Sequence, residues 1–170
     1  MKAAQYFDVE AVVVPVADDF RADLPRTAEA IDERTVLLVA SAPCFPYGTV
    51  DPIGALGELA AARGIGLHVD ACVGAFILPF LRDLGHRVPA FDFGVPGVTS
   101  MSADLHKYGY ALKGASAVLY RTADLRRHQF FVDTAWLGGL FGSPGLLGTR
   151  NGGIIAAAWA ALMRLGEAGY

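Results

Sequence analysis

The stretch IGALGELAAARGIGLHVD, residues 53–70, decides the fold of this chain. Its first part predicts a helix over Ile53–Arg63, which Pro52 opens and Gly64 closes. Gly66–Asp70 then predicts a short buried strand. A helix that leads directly into a buried strand indicates the repeating unit of an α/β protein.

Elements of the same two kinds alternate on both sides of this unit. Short, mostly apolar stretches predict strands, and stretches with helix-start signals or an alanine-rich composition predict helices. The further strands are predicted at Val9–Val16, Thr35–Ala40 and Ala115–Tyr120, and the further helices at Pro25–Arg34, Phe76–Leu84, Asp124–His128 and Gly153–Gly166. The glycine-rich segment Gly138–Gly148 predicts a loop. Strands that are apolar on both faces indicate a three-layer α/β fold, with a mainly parallel sheet and helices on both faces.

The composition limits the class of protein. The chain has 170 residues, of which 54% are hydrophobic and 18% charged, and its net charge is −3. One domain is expected, and the apolar excess predicts either one layer of a larger protein or a subunit with an extensive interface, such as that of a homodimer. No basic cluster indicates nucleic-acid binding, and the longest apolar run, Ile154–Met163, is too short to cross a bilayer. Cys44 and Cys72 belong to no paired motif and no signal peptide is visible, which predicts a cytoplasmic protein.

Three candidate chemical groups fall at predicted strand ends: Ser41, Asp70 and the run Asp104–Lys107. Ligands of open α/β sheets gather beyond the carboxyl ends of the strands, so these groups predict one site. Asp70 needs either a cationic partner or a structural role, such as capping the helix that follows it. A metal site formed by His68, Asp70 and His106 is a further alternative, although the spacing matches no metal motif.

Lys107 follows the apolar stretch Val95–Met101, which predicts a buried strand, and a solvated loop lysine is the simplest interpretation of it. Burial, however, disfavours an ammonium, so this side chain can become a neutral amine and form a Schiff base with an aldehyde cofactor. A strand-end lysine together with the strand-end carboxylate of Asp70 is what pyridoxal 5'-phosphate requires. The amine captures the aldehyde, and the carboxylate keeps the ring nitrogen protonated. His106 and the hydroxyls of Ser100 and Ser102 are expected to hold the phosphate.

The common competing motifs are missing from the sequence. It contains no GxGxxG or GxxxxGK[ST] nucleotide-binding motif, and no GxSxG motif that would supply a hydrolase nucleophile. The chemical groups at the strand ends therefore favour pyridoxal phosphate over a nucleotide cofactor.

Four stretches of the sequence resemble one enzyme family. They are residues 41–53 (SAPCFPYGTVDPI), 68–76 (HVDACVGAF), 91–100 (FDFGVPGVTS) and 102–110 (SADLHKYGY). The chain resembles the sphingosine-1-phosphate lyases, in the group II decarboxylase branch of fold-type I pyridoxal-phosphate enzymes, through nearly its whole length. This resemblance implies that Lys107 is the Schiff-base lysine, Asp70 the partner of the pyridine nitrogen and His106 a neighbour of the cofactor phosphate.

The resemblance also implies a substrate and further binding residues. The expected reaction cleaves a phosphorylated long-chain sphingoid base to a fatty aldehyde and phosphoethanolamine, in a homodimer. Lys113 matches a lysine that contacts the substrate phosphate, although a solvated lysine in a glycine-bounded loop is an equal alternative, and Arg150 is a second candidate for that contact. Ser41 is expected to contribute to the cofactor site, and Cys72 to be a packing residue.

Two alternatives to this function remain open, namely an amino-acid decarboxylase of the same branch and a non-catalytic remnant. Members of the resembled family are more than twice as long as this chain. Residues 1–170 are therefore expected to be the central part of a large catalytic domain, without its N-terminal part and without the small C-terminal domain. The isolated chain is expected to be inactive or impaired for that reason.

Overall fold

A four-stranded sheet organises the chain. In the computed structural model, which describes all of residues 1–170, its strands are β1 (Leu37–Ser41), β2 (Gly66–Asp70), β3 (Ser100–Ala103) and β4 (Ala117–Tyr120). They lie in the order β1-β2-β3-β4; the first three are parallel, and β4 runs antiparallel to β3. The predicted α/β fold with a mainly parallel sheet is confirmed.

Helices connect and flank these strands. They are α1 (Lys2–Tyr6), α2 (Leu24–Ala30), α3 (Ile53–Arg63), α4 (Leu78–Asp83), α5 (Ala123–Arg127) and α6 (Gly152–Gly169), with a 3-10 turn at Gly74–Phe76. Helix α3 joins β1 to β2 and has the predicted bounds. It ends at Gly64, whose φ of 66° is the left-handed conformation that glycine adopts without strain. No helix of the chain is both long and apolar enough to span a bilayer.

One face of the sheet forms the hydrophobic core. Side chains alternate between the two faces of a strand, so Leu67 and Val69 of β2 share this face with Met101 of β3. All three are buried, and they belong to a cluster of 14 buried residues that includes Leu56 of α3 and Phe91 of the segment before β3. Packing on this face fixes the relative positions of the three parallel strands, and with them the positions of their carboxyl ends.

The opposite face of the sheet carries the polar side chains. Ser41, Asp70 and Ser102 occupy one row across β1, β2 and β3, and His68 and Ser100 occupy the adjacent row. Exposed apolar side chains flank these rows on the same face, namely Val39 and Val118. The alternation of the strands thus separates a core face from a polar face, on which the predicted site residues Ser41, Asp70 and Ser102 stand side by side.

The strand predicted at Val9–Val16 is wrong. These residues are irregular apart from an isolated bridge between Val16 and Ala22, and Val12 and Val13 are exposed. β-Branched side chains favour an extended backbone, but a strand also requires a neighbour that accepts and donates its hydrogen bonds. No strand of the sheet pairs with this segment.

Two predicted helices have different bounds in the structure. The helix predicted over Pro25–Arg34 ends at Ala30, because Asp32 accepts a hydrogen bond from the amide two residues later and turns the chain. The helix predicted over Phe76–Leu84 is divided into the 3-10 turn and α4. Pro79, the second residue of α4, lacks the N–H that would continue the preceding turn.

The glycine-rich segment Gly138–Gly148 is not entirely loop. Within it, β6 (Phe141–Ser143) pairs antiparallel with β5 (Phe131–Asp133). Strands of three residues are too short to show a periodic pattern, so the glycine content alone determined the prediction.

Candidate active site

Asp70 stands at the carboxyl end of β2 and is held by two hydrogen bonds. Its Oδ1 accepts from the Ser102 hydroxyl at 2.8 Å and from the amide N–H of Cys72 at 3.1 Å. Both bonds reach the same oxygen, and no protein donor bonds to Oδ2. The hydrogen bond from the Cys72 N–H closes a turn that precedes the 3-10 turn. No side chain caps the 3-10 turn, so the helix-capping role considered for Asp70 is not observed. One carboxylate oxygen is therefore fixed by the protein, and the other is left for a ligand.

The surroundings of Asp70 keep it ionised. Burial raises the pKa of this carboxyl, but its interactions with Cys72 and with the hydroxyl of Ser102 more than offset the burial, so its pKa lies below the ordinary value. Asp70 is accordingly a carboxylate at neutral pH. A half-buried anion with a free oxygen is suited to a cationic N–H partner.

Lys107 lies in the loop that follows β3, and its amine contacts two side chains. The Nζ atom is 2.9 Å from Oδ2 of Asp104 and 2.8 Å from Sγ of Cys72. Cys72 is only two residues beyond Asp70 and bonds to its carboxylate. The lysine amine and the Asp70 carboxylate therefore meet through one shared neighbour at the same edge of the sheet.

Burial does not make Lys107 a neutral amine in this structure. Burial does lower the pKa of the amine, but contacts with Cys72 and with the Asp104 carboxylate raise it above the ordinary value. The side chain of Lys107 is 35% exposed, so burial is too incomplete to outweigh an ion pair at 2.9 Å. Burial also raises the pKa of the Cys72 thiol, so Cys72 is uncharged at neutral pH and Asp104 is the effective counter-ion.

His106 is fixed by the backbone of the strand that follows the loop. Its Nδ1 is 2.7 Å from the carbonyl oxygen of Ala115, which also accepts the backbone N–H of His106 at 3.1 Å. Nδ1 therefore carries a proton, and Nε2 is the nitrogen left for another partner. The nearest carboxylate oxygen to Nε2, Oδ2 of Asp104, lies 3.7 Å away.

The hydroxyls of Ser100 and Ser102 bond to the two polar side chains of β2. Ser102 donates a hydrogen bond to Asp70, and Ser100 bonds to Nδ1 of His68 at 2.8 Å. The expected contact of both hydroxyls with a phosphate stays a prediction. Ser41 lies beside Asp70 in the register and is anchored through its amide, which donates to Asp51 at 2.7 Å.

Lys113 and Arg150 are exposed, and neither forms an ion pair or a side-chain hydrogen bond. Their segments lie near each other. A Cβ placed at Gly114 would be 3.5 Å from Cδ1 of Ile154, so the loop that carries Lys113 lies beside the beginning of α6, which follows Arg150. No hydrogen bond links either cation to Lys107.

The metal-site alternative finds no support. No three His, Cys, Asp or Glu side chains of the chain are grouped so that they could hold a metal ion. His68 bonds to Ser100, and burial lowers the pKa of its imidazole below the ordinary value of 6.5, only partly opposed by the nearby Asp70. His68 is therefore a neutral, structural member of the polar face.

This burial predicts a pH-dependent stability. Below pH 6.5 the unfolded chain binds a proton at His68 that the folded chain does not yet bind, so the free energy of unfolding falls as the pH falls through this range. We expect His68→Gln to reduce this decline, measured by urea unfolding between about pH 7 and pH 5. His128→Gln, at an exposed histidine, is the control and should leave the decline unchanged. An equal decline in wild type and His68→Gln would contradict the assignment.

These residues fit pyridoxal phosphate. The cofactor requires an amine for its aldehyde and an anion for its protonated ring nitrogen. Lys107 could supply the amine, and Asp70 is an ionised carboxylate whose Oδ2 has no protein donor.

A comparison with protein families agrees with this chemistry. The family model of the pyridoxal-dependent decarboxylase conserved domain matches residues 1–157. The chain belongs to this decarboxylase family. The resemblance to sphingosine-1-phosphate lyases is also confirmed: the lyase of Arabidopsis thaliana is 55% identical over 169 residues, which are 99% of this chain and 31% of that protein.

Solved structures place this decarboxylase-family chain in the expected fold. The sphingosine-1-phosphate lyase of Burkholderia pseudomallei superposes with a TM-score of 0.97 at 51% identity, covering 99% of this chain and 39% of that one. The glutamate decarboxylase of Lactobacillus brevis superposes with a TM-score of 0.83 at 24% identity, over the same 99% and 39%, and shows the fold alone. The chain thus spans about a third of the length of the curated relatives that it matches.

Sequence reasoning missed two residues that contact the lysine amine. Asp104 was seen only as part of a polar run, although it lies three residues before Lys107, a spacing at which side chains meet in a helical turn. Cys72 was expected to pack in the interior, but its Sγ contacts Nζ of Lys107. Its position two residues after a strand-end carboxylate was the available signal.

Proposed function

We propose that the whole protein to which this sequence belongs cleaves the Cα–C3 bond of a phosphorylated long-chain sphingoid base, releasing a fatty aldehyde and phosphoethanolamine. The proposal rests on the position of Cys72, which contacts both the Lys107 amine and the Asp70 carboxylate. The chain that carries this arrangement is 55% identical to a sphingosine-1-phosphate lyase. Pyridoxal phosphate, on which the family depends, is the cofactor.

The residues of the chain have distinct roles in this proposal. When bound, pyridoxal phosphate withdraws electrons from the carbon that carries the substrate's amine, so that a neighbouring bond can break. Lys107 would supply the amine that attaches the cofactor, and the Asp70 carboxylate would hold a proton at the pyridine nitrogen. Ser102 and the amide of Cys72 keep that carboxylate ionised and oriented. His106, held by Ala115, would donate a hydrogen bond from Nε2 to the phosphate.

The substrate contacts are proposed on charge and position. Lys113 and Arg150 are exposed cations on two segments that lie near each other, and a phosphate is the ligand that such a pair favours. We assign Ser41, beside Asp70 in the sheet, to the cofactor site as well. Residues 1–170 would form the central part of the large catalytic domain of a cytoplasmic homodimer, whose interface covers apolar side chains such as Val39, which is 65% exposed in the single chain.

The products decide between this reaction and an amino-acid decarboxylase of the same branch. We expect the whole protein to release a fatty aldehyde from a phosphorylated sphingoid base and no carbon dioxide from amino acids. The measurement follows both products in parallel with the Lys113→Ala and Arg150→Ala variants, each of which should raise the substrate KM. Carbon dioxide release without aldehyde would favour the decarboxylase, and the absence of both products would favour a non-catalytic remnant.

A further inference from the structure

Asp104 is the most connected side chain around the proposed site. Its Oδ2 lies 2.9 Å from Nζ of Lys107 and 3.7 Å from Nε2 of His106, and its Oδ1 accepts a short hydrogen bond from the hydroxyl of Ser116. The side chain is only 13% exposed, although it belongs to a loop. A carboxylate that is both fixed and nearly buried is a strong local counter-charge.

The fixation of Asp104 comes from both strands that border the loop. Asp104 directly follows β3, and Ser116 directly precedes β4, which pairs with β3. The amide of His106 bonds to Ala115 beside Ser116, which closes the base of the loop. Asp104 therefore keeps its position whether or not the lysine amine lies against it.

The groups around the amine differ in their charge. Asp104 and His106 belong to its own loop, Asp70 to the end of β2, and Cys72 to the segment after β2. Of these, Asp104 and Cys72 contact Nζ directly, and the Cys72 thiol is uncharged because burial raises its pKa. Burial also raises the pKa of Asp104, but bonds from Ser116 and Lys107 outweigh it and keep that carboxyl ionised.

We propose that Asp104 is a positioning residue that holds the free amine of Lys107 as an ammonium and thereby controls how readily this amine attaches the cofactor. The inference rests on the proposed function, since it assigns the attachment to Lys107. An ammonium has no lone pair, so attachment at neutral pH must wait for loss of the proton that the ion pair retains. The same ion pair would hold the Lys107 amine in a defined position after a substrate amine has displaced it from the cofactor.

The test measures the neutral fraction of Lys107 directly. The chain contains three lysines, Lys2, Lys107 and Lys113, so labelling by an amine-reactive acetylating reagent can be quantified at each by peptide mass spectrometry. We expect Asp104→Asn to raise the labelling rate of Lys107 at neutral pH about tenfold, the lower end of the effect of a close opposite charge. Lys113, which has no ion pair, is the internal reference and should not change.

Two further variants separate charge from structure. Cys72→Ala should change the labelling of Lys107 much less than Asp104→Asn does, because it removes an uncharged contact. Asp104→Glu should restore slow labelling, since it keeps the charge one methylene group further away. Circular dichroism establishes that each variant is folded. Unchanged labelling in Asp104→Asn, or a larger increase in Cys72→Ala, would overturn the proposal.

A second readout follows the cofactor. The rate at which pyridoxal phosphate attaches to Lys107 at neutral pH, followed by visible absorbance, should rise about tenfold in Asp104→Asn, in parallel with the labelling. A lower rate would show that Asp104 aligns the amine for attachment and would overturn the proposal. If the whole wild-type protein attaches no cofactor at Lys107, the proposed function fails, whereas the labelling still decides the role of Asp104.

Discussion

Replacing Lys107 by alanine is expected to abolish covalent attachment of pyridoxal phosphate to the chain. Lys107 is the one lysine whose amine lies against the segment that carries Asp70, through its contact with Cys72 at 2.8 Å. Loss of the amine removes the attaching group itself, so the effect should be complete rather than partial. The measurement is the visible absorbance band formed on titration with the cofactor, followed by borohydride reduction and mapping of the modified peptide.

Lys113→Ala is the matched control for this experiment. Lys113 is in the same loop, is exposed and forms no ion pair, so any non-specific attachment to an accessible amine should favour it. The band should persist in Lys113→Ala, and the reduced label should map to Lys107. A label that remains in the Lys107→Ala chain with an unchanged band would rule out Lys107 as the anchor.

The positions of Asp70 and Lys107 could be predicted from the sequence because the fold constrains them. Parallel strands bring their carboxyl ends to one edge, and the apolar pattern of Gly66–Asp70 located β2 with its observed bounds. Helix α3 was equally predictable, since Pro52 and Gly64 mark its two ends. The sequence sufficed for these elements because residues within each segment determine where it begins and ends.

The protonation state of the site could not be predicted in this way. It depends on distances between residues that are remote in sequence, such as the 2.8 Å between Lys107 and Cys72. The hydroxyl of Ser102 could equally have bonded a phosphate or a carboxylate, and only the register of β2 against β3 assigns it to Asp70. The failure at Val9–Val16 has the same origin, because strand formation there depended on a neighbour that the sequence does not identify.

Replacing Asp70 by asparagine should separate attachment of the cofactor from its use. The amide oxygen can still accept from Ser102 and from the amide of Cys72, so the fold should be retained with a loss of about 1 kcal/mol or less in the free energy of unfolding. Lys107 is unchanged, so the covalent absorbance band should still form. Without a negative charge, however, the chain no longer holds a proton at the pyridine nitrogen, and the capacity to withdraw electrons falls.

Aldehyde release by the whole protein should consequently fall at least about a hundredfold in Asp70→Asn, a loss of roughly 2.7 kcal/mol of transition-state stabilisation. Asp32→Asn is the matched control. Asp32 also accepts a hydrogen bond from the amide two residues later. It precedes β1 and therefore lies at the amino ends of the parallel strands, away from Asp70, so its replacement should leave turnover unchanged. Full turnover in Asp70→Asn would mean that another group balances the ring nitrogen. Loss of the band as well as turnover would mean that Asp70 acts through the structure of the site and not through its charge.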